Sequence, residues 1–80
     1  MTKKELIEDY NINENEFVKL TINGEEGEFY TDDECWEINE FYGYFIANDT
    51  VYQCYYHPTE DEIDDLSSID FSNPVRMEKM

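Results

Sequence analysis

The hydrophobic positions near the start of the chain recur at helical spacing. Leu6, Ile7 and Tyr10 follow Thr2-Lys-Lys-Glu5, in which the threonine hydroxyl and the glutamate carboxylate satisfy each other's backbone N–H groups in a capping box. We predict a short amphipathic helix over residues 3–10, ended by the turn-forming residues 11–15.

An alternating pattern of β-branched and aromatic residues on either side of Asn23-Gly24 predicts the first β-hairpin. This dipeptide is the strongest short hairpin signal, because both central positions of a type I′ turn need positive φ. The resulting register places Lys19 opposite Glu28 and Phe17 opposite Tyr30, so that an opposite-charge pair and an aromatic pair support it.

A second hairpin is predicted from Phe41–Ala47 and Thr50–His57, around Asn48-Asp49. One of its faces carries Phe41, Phe45, Tyr52, Cys54 and Tyr56. The other face carries Tyr42, Tyr44, Ile46, Val51 and Tyr55. Because both faces are largely apolar or aromatic, we expect this hairpin to be the centre of the sheet, with the tyrosine-rich face partly exposed.

The segment between the hairpins fits two structures. A second capping-box pattern at Thr31-Asp-Asp-Glu34 favours a short helix or an irregular excursion over residues 32–39. The alternation of Trp36 and Ile38 is instead typical of a strand. In both cases Trp36 and Ile38 are expected to anchor the segment.

Pro58 ends the last predicted strand, and a third capping box, Thr59-Glu-Asp-Glu62, begins a short acidic helix. Residues 70–80 are expected to form an extended tail. The chain is therefore predicted to be one α+β domain over residues 1–80. Its small antiparallel sheet of two hairpins, about four strands, is flanked by a short N-terminal helix and a short acidic C-terminal helix.

The net charge limits the kinds of partner that the protein can bind. The 80 residues carry a formal charge of −16, and no Lys or Arg lies between Lys19 and Arg76. Nucleic acid and anionic membranes are repelled by such a surface, which leaves a basic protein as the natural partner. Without an apolar run for a membrane span or a signal peptide, we expect a cytoplasmic protein.

The sequence contains no residues arranged for catalysis. The only histidine, His57, is followed directly by Pro58, and no acid cluster has the alternating spacing and central glycine of an EF-hand. Cys35 and Cys54 lack metal-site spacing, and reduced packed thiols are favoured over a disulfide. We therefore predict no catalytic residue, no metal and no cofactor.

Two groups of acids are the candidate partner-binding residues, because strand carboxylates two apart stand about 6.6–6.8 Å from each other, in a phosphate-like row. The first group, Glu25–Glu40, has its acids at Glu25, Glu26, Glu28, Asp32, Asp33, Glu34, Glu37 and Glu40. The second group comprises Glu60, Asp61, Glu62, Asp64 and Asp65. Exposed Trp36, Tyr42 and Tyr44 are expected to add the apolar anchor. The alternative is that the acids are ordinary solvated faces.

In size, charge and the base-free span Glu25–Asp70, the chain resembles the small acidic inhibitors encoded by bacteriophages. These include anti-CRISPR proteins, anti-restriction DNA mimics and uracil-DNA glycosylase inhibitors. The resemblance implies a stoichiometric inhibitor that blocks the nucleic-acid site of a CRISPR effector, restriction enzyme or repair enzyme. Two alternatives remain open: an immunity protein or antitoxin against a basic nuclease toxin, and an allosteric or homodimerising binder that acts through the tyrosine face.

Overall fold

An antiparallel sheet of six strands organises the chain in the computed structural model, which describes residues 1–80. The strands are β1 (Val18–Ile22), β2 (Glu25–Tyr30), β3 (Trp36–Glu37), β4 (Glu40–Ala47), β5 (Thr50–Tyr56) and β6 (Arg76–Lys79). Their order is β1-β2-β4-β5-β6, and β3 pairs with the free part of the β4 edge. The helices are α1 (Lys3–Tyr10) and α2 (Glu60–Asp64), with 3₁₀ turns at Glu14–Glu16 and Leu66–Ser68. Neither α-helix has the length and apolar content needed to cross a membrane.

The α+β class, the two helices and both hairpins are confirmed. Thr2 and Glu5 form the predicted capping box of α1, and Thr59 and Glu62 form that of α2. Both hairpin turns have positive φ at their two central residues, as a type I′ turn requires. The predicted registers hold, since Lys19 pairs with Glu28 in the first hairpin and β4 pairs with β5 over seven residue pairs.

Two segments differ from the prediction and bring the strand count from four to six. Residues 36–37 form the two-residue strand β3, which is the alternative to the favoured helix, and the side chain of Asp32, not of Thr31, caps the preceding turn. Residues 76–79 are extended as expected, but they pair along β5 as an edge strand and not as a tail. Such short strands depend on pairing with a neighbouring edge, so periodicity alone does not decide whether they form.

The sheet is covered on both faces, including the tyrosine-rich face of the second hairpin, which was expected to be partly exposed. Helix α1 covers what we call the helix face, where the buried residues are Leu6, Ile12, Tyr44, Ile46 and Val51. The segment 59–73 covers the opposite, C-terminal face, over a core that includes Phe29, Phe41, Phe45, Cys54, Tyr56 and Ile69. Phe71 closes this second core, with its ring centroid 5.0 Å from that of Phe29.

Gly43 gives a direct test of this packing. A Cβ atom at Gly43 would clash with the ring of Phe29, which is fully buried and has little space to move aside. Gly43→Ala is expected to lower the free energy of unfolding by about 1–3 kcal/mol, measured by urea denaturation. The control is Thr21→Val at an exposed position, which is expected to change it by less than about 0.5 kcal/mol. Equal stability of Gly43→Ala and the wild type would contradict this packing.

Candidate functional site

The charges are distributed unevenly over the two sides of the molecule. Only four of the 21 acids lie in salt bridges with Lys or Arg: Glu14 and Glu28 with Lys3, and Glu40 and Glu78 with Arg76. Four of the five basic side chains belong to α1 or to strand positions on the helix face: Lys3, Lys4, Lys19 and Arg76. The C-terminal face therefore carries fewer basic side chains than the helix face.

Two acid clusters that are far apart in the sequence meet beside β3. Asp33, from the loop before β3, lines an open groove together with Asp64 and Asp65 at the end of α2. We call this the acidic groove; its volume is about 510 Å³, and its other lining residues are Trp36, Ile63, Leu66 and Ser67. No basic side chain lines it.

The acidic groove also exposes apolar surface. Trp36 is 37% exposed and packs its ring 5.1 Å from that of Phe41, while Ile63 is 50% exposed. Asp65 is partly committed to structure, because its side chain caps the following 3₁₀ turn by accepting a hydrogen bond from Ser67 N at 3.2 Å. Asp33 and Asp64 make no such hydrogen bond, so both carboxylates are free to meet a partner.

A second concavity, the tyrosine pocket, lies between the end of α1 and the loop 31–35. Its volume is about 220 Å³, and its lining residues are Tyr10, Ile12, Tyr30, Asp32, Glu34, Cys35, Tyr42 and Tyr44. The loop supplies Asp33 to the acidic groove and Asp32 and Glu34 to the tyrosine pocket. The loop thus forms the ridge between the two.

Asp32 is the best-ordered acid of the tyrosine pocket. Its Oδ2 accepts a hydrogen bond from the Tyr30 hydroxyl at 3.0 Å, and its Oδ1 accepts from Glu34 N at 2.8 Å. Desolvation opposes ionisation of Asp32, but these hydrogen bonds together with one from Cys35 outweigh it and lower its pKa. Burial, with the Asp32 charge beside it, raises the pKa of Tyr30 to about 12. At neutral pH the phenol is therefore neutral and the carboxylate charged.

The remaining predicted site residues lie elsewhere. Glu25, Glu26 and Glu28 are at the β1–β2 hairpin, where Glu28 is bound by Lys3 at 2.9 Å and not by Lys19 across the strand. Glu40 accepts hydrogen bonds from His57 at 2.8 Å and from Arg76. The acids of residues 25–40 do not form one surface, because successive strand residues point to opposite faces.

The aromatic anchors also differ from the prediction. Tyr44 is buried and Tyr42 half-buried, so the tyrosine face is less open than expected. Trp36 anchors its segment as predicted, but Ile38 does not, since it is 93% exposed at the β3–β4 turn. Its φ of 57° is a conformation that β-branched residues rarely adopt.

Several lining residues were missed from the sequence. Ile63 lies among five acids within six residues, and this position is the sequence signal that could have indicated its exposure. Tyr10, Tyr30 and Cys35 meet only through the tertiary fold, so no local pattern marks them.

No group of three or more His, Cys, Asp or Glu side chains is arranged to hold a metal ion, and both cysteines are buried and free. Comparisons with the profiles of known protein families, with curated proteins and with solved structures each gave no match.

The conformation of Ile38 predicts a stabilising substitution. The left-handed region costs a side chain with a Cβ atom about 1–2 kcal/mol, and Asn tolerates it better. Because Ile38 buries almost no surface, Ile38→Asn is expected to raise the free energy of unfolding by about 1 kcal/mol in urea denaturation. Val75→Asn, at an exposed position without positive φ, is the control and should bring no gain. A loss of stability in Ile38→Asn would contradict this account.

Glu40 predicts a pH dependence. Its hydrogen bond with His57 and its contacts with Arg76 lower its pKa below the ordinary 4.5. A carboxylate with a depressed pKa stabilises the fold above its unfolded pKa, and the contribution is lost as the pH falls through the folded pKa. Glu40→Gln should therefore be less stable than the wild type at neutral pH, and the difference should shrink in acid.

Urea denaturation in a descending pH series measures this difference. Glu37→Gln is the control, because Glu37 has no basic partner within salt-bridge distance, and it should not destabilise the fold. A stability difference between Glu40→Gln and the wild type that persists unchanged into acid would mean that the ion pairs are not its cause.

Proposed function

We propose that the protein is a stoichiometric inhibitor that occludes the DNA- or RNA-binding site of a basic protein in the cytoplasm, without catalysis of its own. A defence or repair enzyme is the target class, with a CRISPR effector first. The observation that carries the proposal is the acidic groove, where Asp33 and Asp64 converge beside an exposed tryptophan with no basic side chain among the lining residues.

The physical argument combines charge with an apolar anchor. A net charge of −16 steers the protein toward a positive surface, and this attraction weakens with salt. Each Lys or Arg that would contact a phosphate can bind a carboxylate instead, through a charge-assisted hydrogen bond. Electrostatic steering raises the rate of encounter, but a high affinity also needs an apolar contact that is buried in the complex. Trp36 and Ile63, which line the acidic groove, can supply this contact.

A second candidate function is a binder that leaves the nucleic-acid site of its target open. The tyrosine pocket favours it, because four tyrosines and two acids there offer a recognition surface on the other side of the loop 31–35. Competition separates the two functions, since occlusion excludes duplex DNA or RNA from the target and this binder does not.

The first experiment is capture of a partner from host lysate by the tagged protein, in a salt series and with competing duplex DNA. Occlusion predicts capture of a basic enzyme that is lost as DNA or salt is raised. Capture that is insensitive to DNA would support the binder, and no capture would support an ordinary solvated surface.

Charge reversal then tests the acidic groove itself. Asp33→Lys/Asp64→Lys is expected to weaken binding of the captured target at least tenfold, about 1.4 kcal/mol, because the new charges face a positive surface. The matched control is Glu8→Lys/Asp9→Lys, which makes the same change in net charge at exposed positions of α1. Isothermal titration at about 0.15 M salt measures both. Equal weakening by the two pairs would assign binding to net charge and not to the acidic groove.

A further inference from the structure

We propose that the tyrosine pocket binds the guanidinium group of one arginine side chain. The inference rests on the proposed function only for the source of that arginine, which is the basic partner. The site itself is separate from the acidic groove, on the other side of the loop 31–35.

The volume of the tyrosine pocket limits the size of the ligand that it can hold. Pockets that bury a drug-sized ligand are about 300–1,000 Å³. The tyrosine pocket is smaller, about 220 Å³, and it is open to solvent at Tyr10, which is 52% exposed. This space suits the end of a single side chain.

The residues that line the tyrosine pocket favour a cationic ligand. Asp32 and Glu34 are the charged residues of the pocket, and no basic side chain lines it. Asp32 Oδ2 accepts only the Tyr30 hydroxyl, so one of its lone pairs is left for a donor. Three of the tyrosine rings that line the pocket pack against one another, with centroids 5.6 Å apart for Tyr10–Tyr44 and 5.7 Å apart for Tyr42–Tyr44. Tyrosine rings attract cations, and a planar guanidinium both stacks on them and pairs with a carboxylate.

A guanidinium held between a tyrosine ring and a carboxylate already occurs inside the molecule. The guanidinium of Arg76 lies over the ring of Tyr55, 3.8 Å from its centroid, and its Nη1 donates to both oxygens of Glu40 at 2.8 and 2.9 Å. Tyr55 is itself a neighbour of Tyr42 in the row of rings, with centroids 6.4 Å apart. The tyrosine pocket continues this row of rings. It has tyrosine rings and carboxylates as at Arg76, but no arginine of the chain lies in it.

The test is a titration of the ¹⁵N-labelled protein with N-acetyl-arginine methylamide, followed by amide chemical shifts at about 0.15 M salt. We expect saturable shifts at Tyr10, Tyr30, Asp32 and Glu34. The matched neutral ligand is N-acetyl-citrulline methylamide, which keeps the shape but not the charge and should cause no saturable shift. Equal response to citrulline, or shifts spread over every acidic segment, would overturn the proposal. The lysine analogue should bind more weakly, and tighter binding of lysine would overturn the choice of guanidinium.

Two variants locate the binding. Tyr10→Ala should weaken arginine binding about two- to fivefold, the range of an exposed cation–π contact. Glu34→Gln, which removes an exposed carboxylate partner, should weaken it by up to about fivefold, the range of an exposed ion pair. Glu60→Gln, an exposed acid of α2, is the control and should leave it unchanged. Glu34 is exposed with no side-chain hydrogen bond, so its variant keeps the test valid if Tyr10→Ala does not fold. Unchanged affinity in Glu34→Gln would overturn the proposal.

The two proposals fail in different experiments. If the protein captures no nucleic-acid-binding enzyme but the arginine ligand binds, the target class is wrong and the pocket stands. If the enzyme is captured but the ligand does not bind, the acidic groove stands and the tyrosine pocket is not an arginine site.

Discussion

The pairing of β4 with β5 is the constraint on which the rest of the structure depends. This strand pair is apolar on both faces, so each face must be covered to remove that surface from water. The chain meets the requirement from its two ends, with α1 on one side and the segment 59–73 on the other. With its faces occupied by core residues, this strand pair carries a single charged residue, Glu40, and the other charges lie in the helices, the turns and the remaining strands.

Much of that charge serves the fold at those places. Glu5 and Glu62 complete the capping boxes of the two helices, and Asp32 and Asp65 cap turns through their side chains. Acids at helix beginnings are favoured by the helix dipole, which offsets part of the repulsion expected at −16. These roles account for individual acids. They do not account for the near absence of bases on the C-terminal face, on which the proposal of a basic partner draws.

The sequence predicted what depends on local chemistry. Asn23-Gly24 and Asn48-Asp49 set both hairpin registers, and the alternation beyond them assigned the central core to its two faces. The sequence did not predict contacts between residues that lie far apart in the chain. β6 forms because the edge of β5 is available to it, and the acidic groove forms because α2 folds back beside Trp36. A linear list of acids cannot indicate which of them meet.

The positions of the acids distinguish two arrangements by which carboxylates could bind a basic surface. A phosphate-like row along a strand needs free carboxylates two residues apart on one face, and Glu26 and Glu28 are such a pair. Glu28, however, is bound to Lys3, which leaves no free row there. The free acids of the acidic groove come instead from a loop and a helix end, beside exposed Trp36 and Ile63. Carboxylates arranged around apolar side chains are the pattern of a protein–protein interface, with a desolvated centre and a charged rim. Under the proposed function, recognition through this arrangement would depend on the shape of the basic partner as well as on its charge.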